Sequence, residues 1–382
     1  MNILVTGSNG FIGRNLIAWL GRLAEVRVLE FDQENTLDEL GALLAQADIV
    51  YHLAGVNRPQ TEAEFTTGNV DLTAQVCDGL LALGRATPIV LSSSIQAALD
   101  NPYGVSKRQA EAVVADYAAR SGAHVVIYRL RNVFGKWCRP NYNSVVATFC
   151  HSIAHDLPIT VSDPARELEL VHVDDVVKAF MTEIRSQESG VRDQPSAVGR
   201  QSSAVSYQEV APSFRVTLGR LAELIQSFRE SRQTLRVPDL SDPFMHKLYG
   251  AFLSYLEPDD FAYDLTKRTD PRGSLAEFVK SDPFGQLFVS RTKPGITRGN
   301  HYHHTKTEKF LVVEGEAIIR FRHIQGEDVI EYRVRGEDFQ VVDIPTGYTH
   351  SIENTGASEL VTLFWASEIF DPAQPDTIYE EV

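Results

Sequence analysis

Met1-Asn-Ile-Leu-Val-Thr-Gly7-Ser-Asn-Gly10-Phe11-Ile12-Gly13-Arg-Asn-Leu-Ile17 decides the fold of the first half of the chain. Ile3–Thr6 closes a short apolar run with the composition of a buried strand. Gly7, Gly10 and Gly13 follow as G-x2-G-x2-G, and a helical pattern of Phe11, Ile12, Leu16, Ile17 and Leu20 then begins. Glycines between a strand and a helix permit a tight turn and let the backbone approach a pyrophosphate, which rests on the helix N-terminus. We therefore expect Gly7, Gly10, Phe11, Ile12 and Gly13 to cradle a dinucleotide. Strand-like segments at Val26–Phe31, Ile49–His52, Ile89–Ser92 and Val125–Arg129 alternate with helical patterns. That order implies an α/β fold, a doubly wound parallel sheet of the Rossmann type.

A reductive chemistry is written behind this turn. Ser92-Ser93-Ser94 ends one strand, and Tyr103 and Lys107 follow as Y-x3-K in Asn101-Pro-Tyr-Gly-Val-Ser-Lys107. At i and i+4 on a helix the two side chains share a face. A phenol must protonate a carbonyl oxygen while hydride arrives at its carbon, and a neighbouring ammonium should lower the phenol pKa. A serine hydroxyl can hold the same oxygen. Taken alone, Y-x3-K is also what a solvated helix face produces; behind a glycine turn and a serine-ended strand it reads as function. Asp32 closes the second strand, where an acid hydrogen-bonds a ribose and repels a 2′-phosphate, which favours NAD(H). Arg14 or Arg58 would instead accept that phosphate.

The bulk numbers set limits. A chain of 382 residues with 43% hydrophobic content should fold as two or three packed domains. Its formal net charge of −15 argues against nucleic acid as a partner. Cys77, Cys138 and Cys150 are few, odd in number and without metal spacing, as expected of thiols in a reducing compartment. We see no leader sequence and no apolar run long enough for a bilayer, and expect a cytoplasmic protein with no membrane partner. Gln187–Ser206 is rich in Ser, Gln and Gly and reads as a surface loop, and a helix is expected at 217–229. From Leu275 the texture changes to short β-rich runs at Leu287–Ser290, Phe310–Val313, Ala317–His323, Val329–Val334, Val341–Ile344 and Leu360–Trp365. Many short strands separated by turns indicate a sandwich or barrel. The expected division is a nucleotide-binding domain at 1–245, a connecting segment at 246–269 and an all-β domain at 270–382.

Two segments of the last part carry metal-binding chemistry. Gly295, His301, His303, Glu308 and Gly315 are spaced G-x5-H-x-H-x4-E-x6-G, and Pro345, Gly347, His350 and Asn354 are spaced P-x-G-x2-H-x3-N. Three imidazoles and a carboxylate suit Zn²⁺, Fe²⁺, Ni²⁺ or Mn²⁺ rather than Ca²⁺. On a strand His301 and His303 would share a face. These segments resemble the two motifs of the cupin family, which implies an all-β jelly roll with His301, His303, Glu308 and His350 as ligands. Phe339 stands where the second motif opens with glycine. His304 breaks the alternation and should be exposed, and His323 reads as packing or surface. Lys309, Tyr302 and Tyr348 are candidates for proton transfer. Asp270, Arg272, Gly273 and Glu277 form D-x-R-G-x3-E, which resembles the substrate-contacting start of sugar-nucleotide epimerase cupins and equally suits a turn and solvated strand. The aromatic cluster at Phe244–Tyr263 should be core or dimer interface.

The first half resembles the extended short-chain dehydrogenase/reductase family. Further matches are Leu53-Ala54-Gly55, Asn69 in Gly-Asn-Val-Asp, Arg131-Asn132-Val-Phe-Gly, and Val171-His172-Val-Asp-Asp175. The resemblance implies Ser94, Tyr103 and Lys107 as catalytic residues. It implies Asp32, Leu53, Ala54, Gly55 and Asn69 as cofactor contacts beside Tyr103, Lys107 and the glycine turn, with Arg131, Asn132 and His172 on the substrate side. His172 with Asp174 and Asp175 is expected to order a loop. Over its full length the chain resembles two-domain enzymes of capsular polysaccharide synthesis, a reductase fused to a cupin, in the UDP-N-acetyl-L-fucosamine pathway. His52-Leu-Ala-Gly-Val-Asn-Arg-Pro59, Ser93-Ser-Ile-Gln-Ala97, Phe134-Gly-Lys-Trp-Cys138, Lys293-Pro-Gly-Ile-Thr297, His301-Tyr-His-His-Thr305 and Asp371-Pro-Ala-Gln-Pro-Asp376 carry that match. It implies a zinc-dependent cupin that inverts carbon 3 of a UDP-linked 2-acetamido-2,6-dideoxy-4-hexulose. The reductase would then use NADPH on the carbon 4 ketone, giving UDP-2-acetamido-2,6-dideoxy-L-talose. A homodimer or homotetramer is expected. Competing readings are a nucleotide-sugar 4-reductase whose cupin only dimerises the chain, and a sensor that binds without turnover.

Overall fold

The computed structural model describes residues 1–188, 204–266, 268–270, 273–275, 279, 285–368 and 373–382. Most of the polar stretch at 187–206 lies outside the described residues, as do Arg272, Glu277 and Asp371. The first elements are β1 (Asn2–Thr6), α1 (Phe11–Leu20), β2 (Arg27–Phe31), α2 (Leu37–Gln46) and β3 (Ile49–His52). The short α3 (Ala63–Phe65) runs through a π-helical turn into α4 (Leu72–Ala82), followed by β4 (Ile89–Ser94), α5 (Pro102–Ser121) and β5 (Val125–Leu130). Then come β6 (Asn132–Phe134), α6 (Val145–Ala154), β7 (Glu167–His172), α7 (Val173–Glu188), β8 (Val205–Gln208) and β9 (Ser213–Thr217).

A six-stranded parallel sheet in the order β2-β1-β3-β4-β5-β8 is the spine of this half. Both of its faces are covered, so the central strands β1, β3, β4 and β5 are buried almost throughout, while the edge strands β2 and β8 carry exposed polar residues. Ile3, Val5, Tyr51, Val90 and Val126 point to one side and pack with Leu16, Leu20, Val177 and Phe180 of α1 and α7. Leu4, Val50, Leu91 and Ile127 point to the other and pack with Leu40, Leu44, Val76, Leu80 and Val114 of α2, α4 and α5. Each such side chain removed from water contributes about 1.5–3 kcal/mol before conformational entropy is counted. Because β2 and β3 flank β1 on opposite sides, the chain reverses direction across the sheet there, and a crevice opens at the carboxyl ends of β1 and β3.

The remaining helices are α8 (Leu218–Thr234) and α9 (Pro243–Leu253). Strands β10 (Ala262–Asp264), β11 (Arg268–Asp270), β12 (Gly273–Leu275), β13 (Gln286–Thr292), β14 (Thr297–Tyr302), β15 (Glu308–Glu314) and β16 (Glu316–His323) follow. The last are β17 (Val329–Arg335), β18 (Gln340–Ile344), β19 (Tyr348–Asn354), β20 (Leu360–Ala366) and β21 (Ile378–Tyr379). Two five-stranded sheets, β10-β18-β15-β20-β13 and β17-β16-β19-β14-β21, form the jelly roll. Phe310 of β15 meets His350 of β19 with ring centroids 5.7 Å apart, so the sheets face one another across the core.

Compactness groups the residues differently from the boundary drawn on composition. One unit comprises 1–134, 142–144 and 169–215; the other comprises 135–141, 145–168 and 216–382. The second therefore includes α6, α8 and α9 as well as the jelly roll. Tyr249, Phe252 and Phe261 are fully buried, so the aromatic cluster at 244–263 is core. Phe339 adopts φ 52°, a left-handed conformation natural to glycine and costing another residue about 1–2 kcal/mol. That explains why a glycine suits this position. Among the described residues no helix is long and apolar enough to cross a membrane.

Candidate functional site

The first unit holds the reductase constellation around the crevice. Gly7 has φ 70°, and a Cβ there would lie 2.7 Å from the Ala54 nitrogen; one on Gly13 would lie 2.1 Å from the Gly7 oxygen. The turn and the Leu53-Ala54-Gly55 loop thus pack backbone against backbone, leaving amide groups rather than side chains at the N-terminus of α1. That cradle fits a pyrophosphate. Asp32 closes it from the side, one carboxylate oxygen accepting the Asn9 N–H at 2.7 Å and the other the Gln33 N–H at 2.8 Å.

Asn69 is buried and works as a clip. Its Oδ1 accepts the Val56 N–H at 2.8 Å, while its Nδ2 donates to the Val56 carbonyl at 2.9 Å and the Ser106 hydroxyl at 3.0 Å. It ties the loop after β3 to α5, which is capped by Asn101 and has Pro102 in its first turn. Lys107, on the buried face of α5, donates to the Ser92 carbonyl at 2.9 Å. Burial lowers its pKa to about 8, against a pull upward from Glu111. Ser94 ends β4, and its hydroxyl lies near enough to the Tyr103 phenol to lower that group's pKa. Ser94, Tyr103 and Lys107 are therefore brought together. One expectation is corrected: burial raises the Tyr103 pKa, the Ser94 hydroxyl lowers it, and the Lys107 ammonium is spent on a backbone carbonyl.

Sequence reasoning missed the support beneath this group. Glu111 is buried, accepts the Ser93 hydroxyl at 2.5 Å, and takes Arg129 bidentately at 2.9 and 2.6 Å. His52 is bonded to Thr6 and Thr73, and burial lowers its pKa to about 3, so its ring is neutral. Among the substrate-side candidates, Arg131 is held by Glu169 and Glu209, each at 2.8 Å. Asn132 is exposed on β6. His172 ends β7 with its Nδ1 accepting the Asp174 N–H at 3.4 Å where α7 begins, an ordering role as expected.

The second unit gathers the proposed ligands. Donor atoms of His301, His303, Glu308 and His350 all lie within 4.8 Å of one another. Nε2 of His303 and of His350 stand 3.5 and 3.6 Å from the two Glu308 oxygens. A tetrahedral ion with bonds of about 2.0–2.2 Å sets its donors roughly 3.4 Å apart. Both Nε2 atoms are buried with no hydrogen-bond partner, a costly state unless an ion takes their lone pairs. Burial lowers the pKa of His301, to about 3, and of His350, keeping both rings neutral. Burial would raise the Glu308 carboxyl, but His303 and His350 hold it well below the usual range. The donor set fits a divalent cation.

Strand geometry differs from expectation at two histidines. β14 ends at Tyr302, so His303 lies past the strand, and a bulge between Gly299 and His301 aims His301 at the cluster. His304, expected to be exposed, is 2% exposed. The turn after β14 folds inward because the Asp376 carboxylate accepts three successive amides, and the His304 ring packs edge-on to Tyr302. Lys309 alternates with Glu308 and turns to the opposite face, where it pairs with Asp343 and Tyr263, so it is not placed for proton transfer at the cluster. Tyr302 is buried against His304, whereas Tyr348 shares the strand face of His350. The His323 ring packs tilted against Trp137 and edge-on to Tyr348. Lys306, Glu368, Asp376 and Thr377, none singled out from sequence, border the cluster.

Known proteins resemble this chain along its whole length. The model of the NAD dependent epimerase/dehydratase family matches residues 3–199, and that of the polysaccharide biosynthesis C-terminal domain matches 268–378. A UDP-2-acetamido-2,6-beta-L-arabino-hexul-4-ose reductase of Pseudomonas aeruginosa is 44% identical over 377 residues, covering 99% of this chain and 98% of its own. The capsular polysaccharide assembling protein CapF of Staphylococcus aureus has a crystal structure that aligns over 100% of both chains, at 46% identity and a TM-score of 0.66. SpsL, a spore coat polysaccharide biosynthesis protein of Bacillus subtilis, is 29% identical over 124 residues, 29% of this chain and 81% of that protein. The resemblance to two-domain enzymes of capsular polysaccharide synthesis is borne out.

Proposed function

This chain belongs to the NAD dependent epimerase/dehydratase family, and from that premise we propose that it is a bifunctional nucleotide-sugar enzyme. Its substrate is a UDP-linked 2-acetamido-2,6-dideoxy-4-hexulose. The jelly roll inverts carbon 3, and the first unit reduces the carbon 4 ketone to give UDP-2-acetamido-2,6-dideoxy-L-talose. One observation carries the reading: three imidazoles and a carboxylate converge within 4.8 Å in a chain that also assembles Ser94, Tyr103 and Lys107. The name of the Pseudomonas aeruginosa relative supports the reduction.

In the reductase site Ser94 is near enough to Tyr103 to lower its pKa, so a carbonyl oxygen placed between them would be held by the serine hydroxyl and protonated by the phenol. Lys107 donates to the Ser92 carbonyl and so fixes the end of β4 beside Ser94. A bound NADPH supplies the hydride. We take NADPH from the resemblance. Asp32 has both oxygens engaged, one accepting the Asn9 amide of the glycine turn and the other the Gln33 amide of its own loop.

At the second site His301, His303, Glu308 and His350 would hold a zinc ion, which supplies Lewis acidity toward the ketone oxygen. The ketone acidifies the hydrogen on carbon 3, so a base can remove it and an acid can return one from the other face. Glu368, its carboxyl raised by burial and by Asp376, is suited to accept that proton, and Tyr348 to return one. Buried cysteines at Cys77, Cys138 and Cys150 support a cytoplasmic setting, where we expect a homo-oligomer.

The test is product analysis by NMR after incubation of the UDP-linked 4-keto sugar with NADPH, for wild type and a His303→Ala, His350→Ala double variant. Wild type should consume NADPH and deliver a product inverted at carbon 3. The double variant should lose inversion by about 100-fold or more. Unchanged inversion would mean that the jelly roll only joins chains together.

A further inference from the structure

Asp376 enters the mechanism above only through its charge beside Glu368, yet it meets the ligand cluster at several points. The Asp376 carboxylate accepts the N–H of His304 at 2.9 Å through Oδ1, and those of Thr305 at 2.7 Å and Lys306 at 2.8 Å through Oδ2, with the Thr305 hydroxyl at 3.0 Å. Three successive amides directed at one anion form a concave nest, and here the anion is part of the chain. The Asp376 carbonyl is bonded to Nδ1 of His303 at 2.5 Å. A carbonyl can only accept, so Nδ1 carries the proton and Nε2 is left bare toward Glu308 and His350.

The next residues extend the contact. Thr377 accepts the Lys306 ammonium at 2.6 Å, and that ammonium lies 3.9 Å from Glu308 Oε1. Ile378 and Tyr379 pair with Tyr302 and His301 as the edge strand β21. His303 lies beyond the end of β14, where no ladder sets its ring. Its orientation has to come from elsewhere.

We infer that Asp376 is a positioning residue of the metal site: it shapes the 303–306 turn and selects the His303 tautomer that can ligate. The inference rests on the metal reading proposed above. The Asp376 carboxylate, held by the 304–306 amides, keeps its own carbonyl opposite Nδ1 of His303, and a ligating histidine that loses such a fixed partner loses about 10–100-fold in metal affinity.

The experiment is zinc competition against a chelating dye on the full-length protein, for wild type, Asp376→Ala and Asp376→Asn, with the melting temperature of each metal-free form measured alongside. Asp376→Ala should weaken zinc about 10–100-fold. Asp376→Asn, which keeps one acceptor oxygen but puts an amide opposite the other donors, should fall between. Should Asp376→Ala fail to fold, ¹⁵N spectra of the wild-type imidazoles decide: His303 should carry its proton on Nδ1 and ligate through Nε2. Zinc affinity within about twofold of wild type in a folded Asp376→Ala, or ligation through Nδ1, overturns the inference. Wild type that takes no divalent ion overturns the metal reading itself, an outcome separate from the other two.

Discussion

Lys107 shows how burial tunes a single group. The residue is 7% exposed, and desolvation brings its pKa to about 8 while Glu111 opposes the shift. The charged form is therefore present below that pH and lost above it. An unfolded chain holds the same proton to about 10.4, so between those values the unfolded state binds more protons. Stability contributed by this group accordingly rises with pH across that window, and the buried charge is a cost below it. The Tyr103 phenol, raised by its own burial, titrates later. We predict that kcat/KM for NADPH-dependent reduction falls along a limb centred near pH 8, and that Glu111→Gln moves the limb lower. A flat profile to about pH 10 would contradict the role given to Lys107. Ser94, Tyr103 and Lys107 were legible because three residue types stood in a recognisable spacing. Glu111 and Asp376 were not, since nothing local marks a carboxylate whose partners lie 18 and about 70 residues away.

At the scale of elements, the turn between β1 and α1 is backbone packed on backbone. A Cβ on Gly13 would meet the Gly7 oxygen at 2.1 Å and the Ser8 oxygen at 2.9 Å, and neither atom is the end of a flexible side chain. We predict that Gly13→Ala costs about 1–3 kcal/mol, divided between folding stability and cofactor affinity. Thermal melts with and without NADPH, paired with a fluorescence titration, read both; wild-type values in each would refute the packing described. The buried parallel strands were read from sequence within a residue or two because their apolar runs are continuous. β14 escaped notice, since Thr297-Arg-Gly-Asn-His-Tyr302 is polar and exposed over its first half and bulged near its end. The alternation rule misplaced His304, whereas His301 and His303 converge as expected although His303 lies past the strand. A turn held by a distant carboxylate, not a strand period, sets the directions of His303 and His304.

For the whole molecule, the proposed function would have one carbonyl serve two chemistries in one chain. A ketone at carbon 4 makes the neighbouring hydrogen labile, and reduction then removes the ketone and fixes the new configuration. Reduction first would leave nothing to acidify carbon 3, so inversion must precede it. Fold class was legible from the glycine turn at Gly7–Gly13 and from paired histidine motifs 47 residues apart between His303 and His350. The grouping of α6, α8 and α9 with the jelly roll was not, because those helices are amphipathic and their apolar faces do not name a partner. Incubation of the UDP-linked 4-keto sugar in D₂O without nicotinamide tests the account most directly. We predict deuterium at carbon 3, seen by NMR as loss of that proton's signal, with the rate collapsing in His350→Ala. A substrate that keeps its carbon 3 hydrogen throughout would contradict the inversion and the order of steps alike.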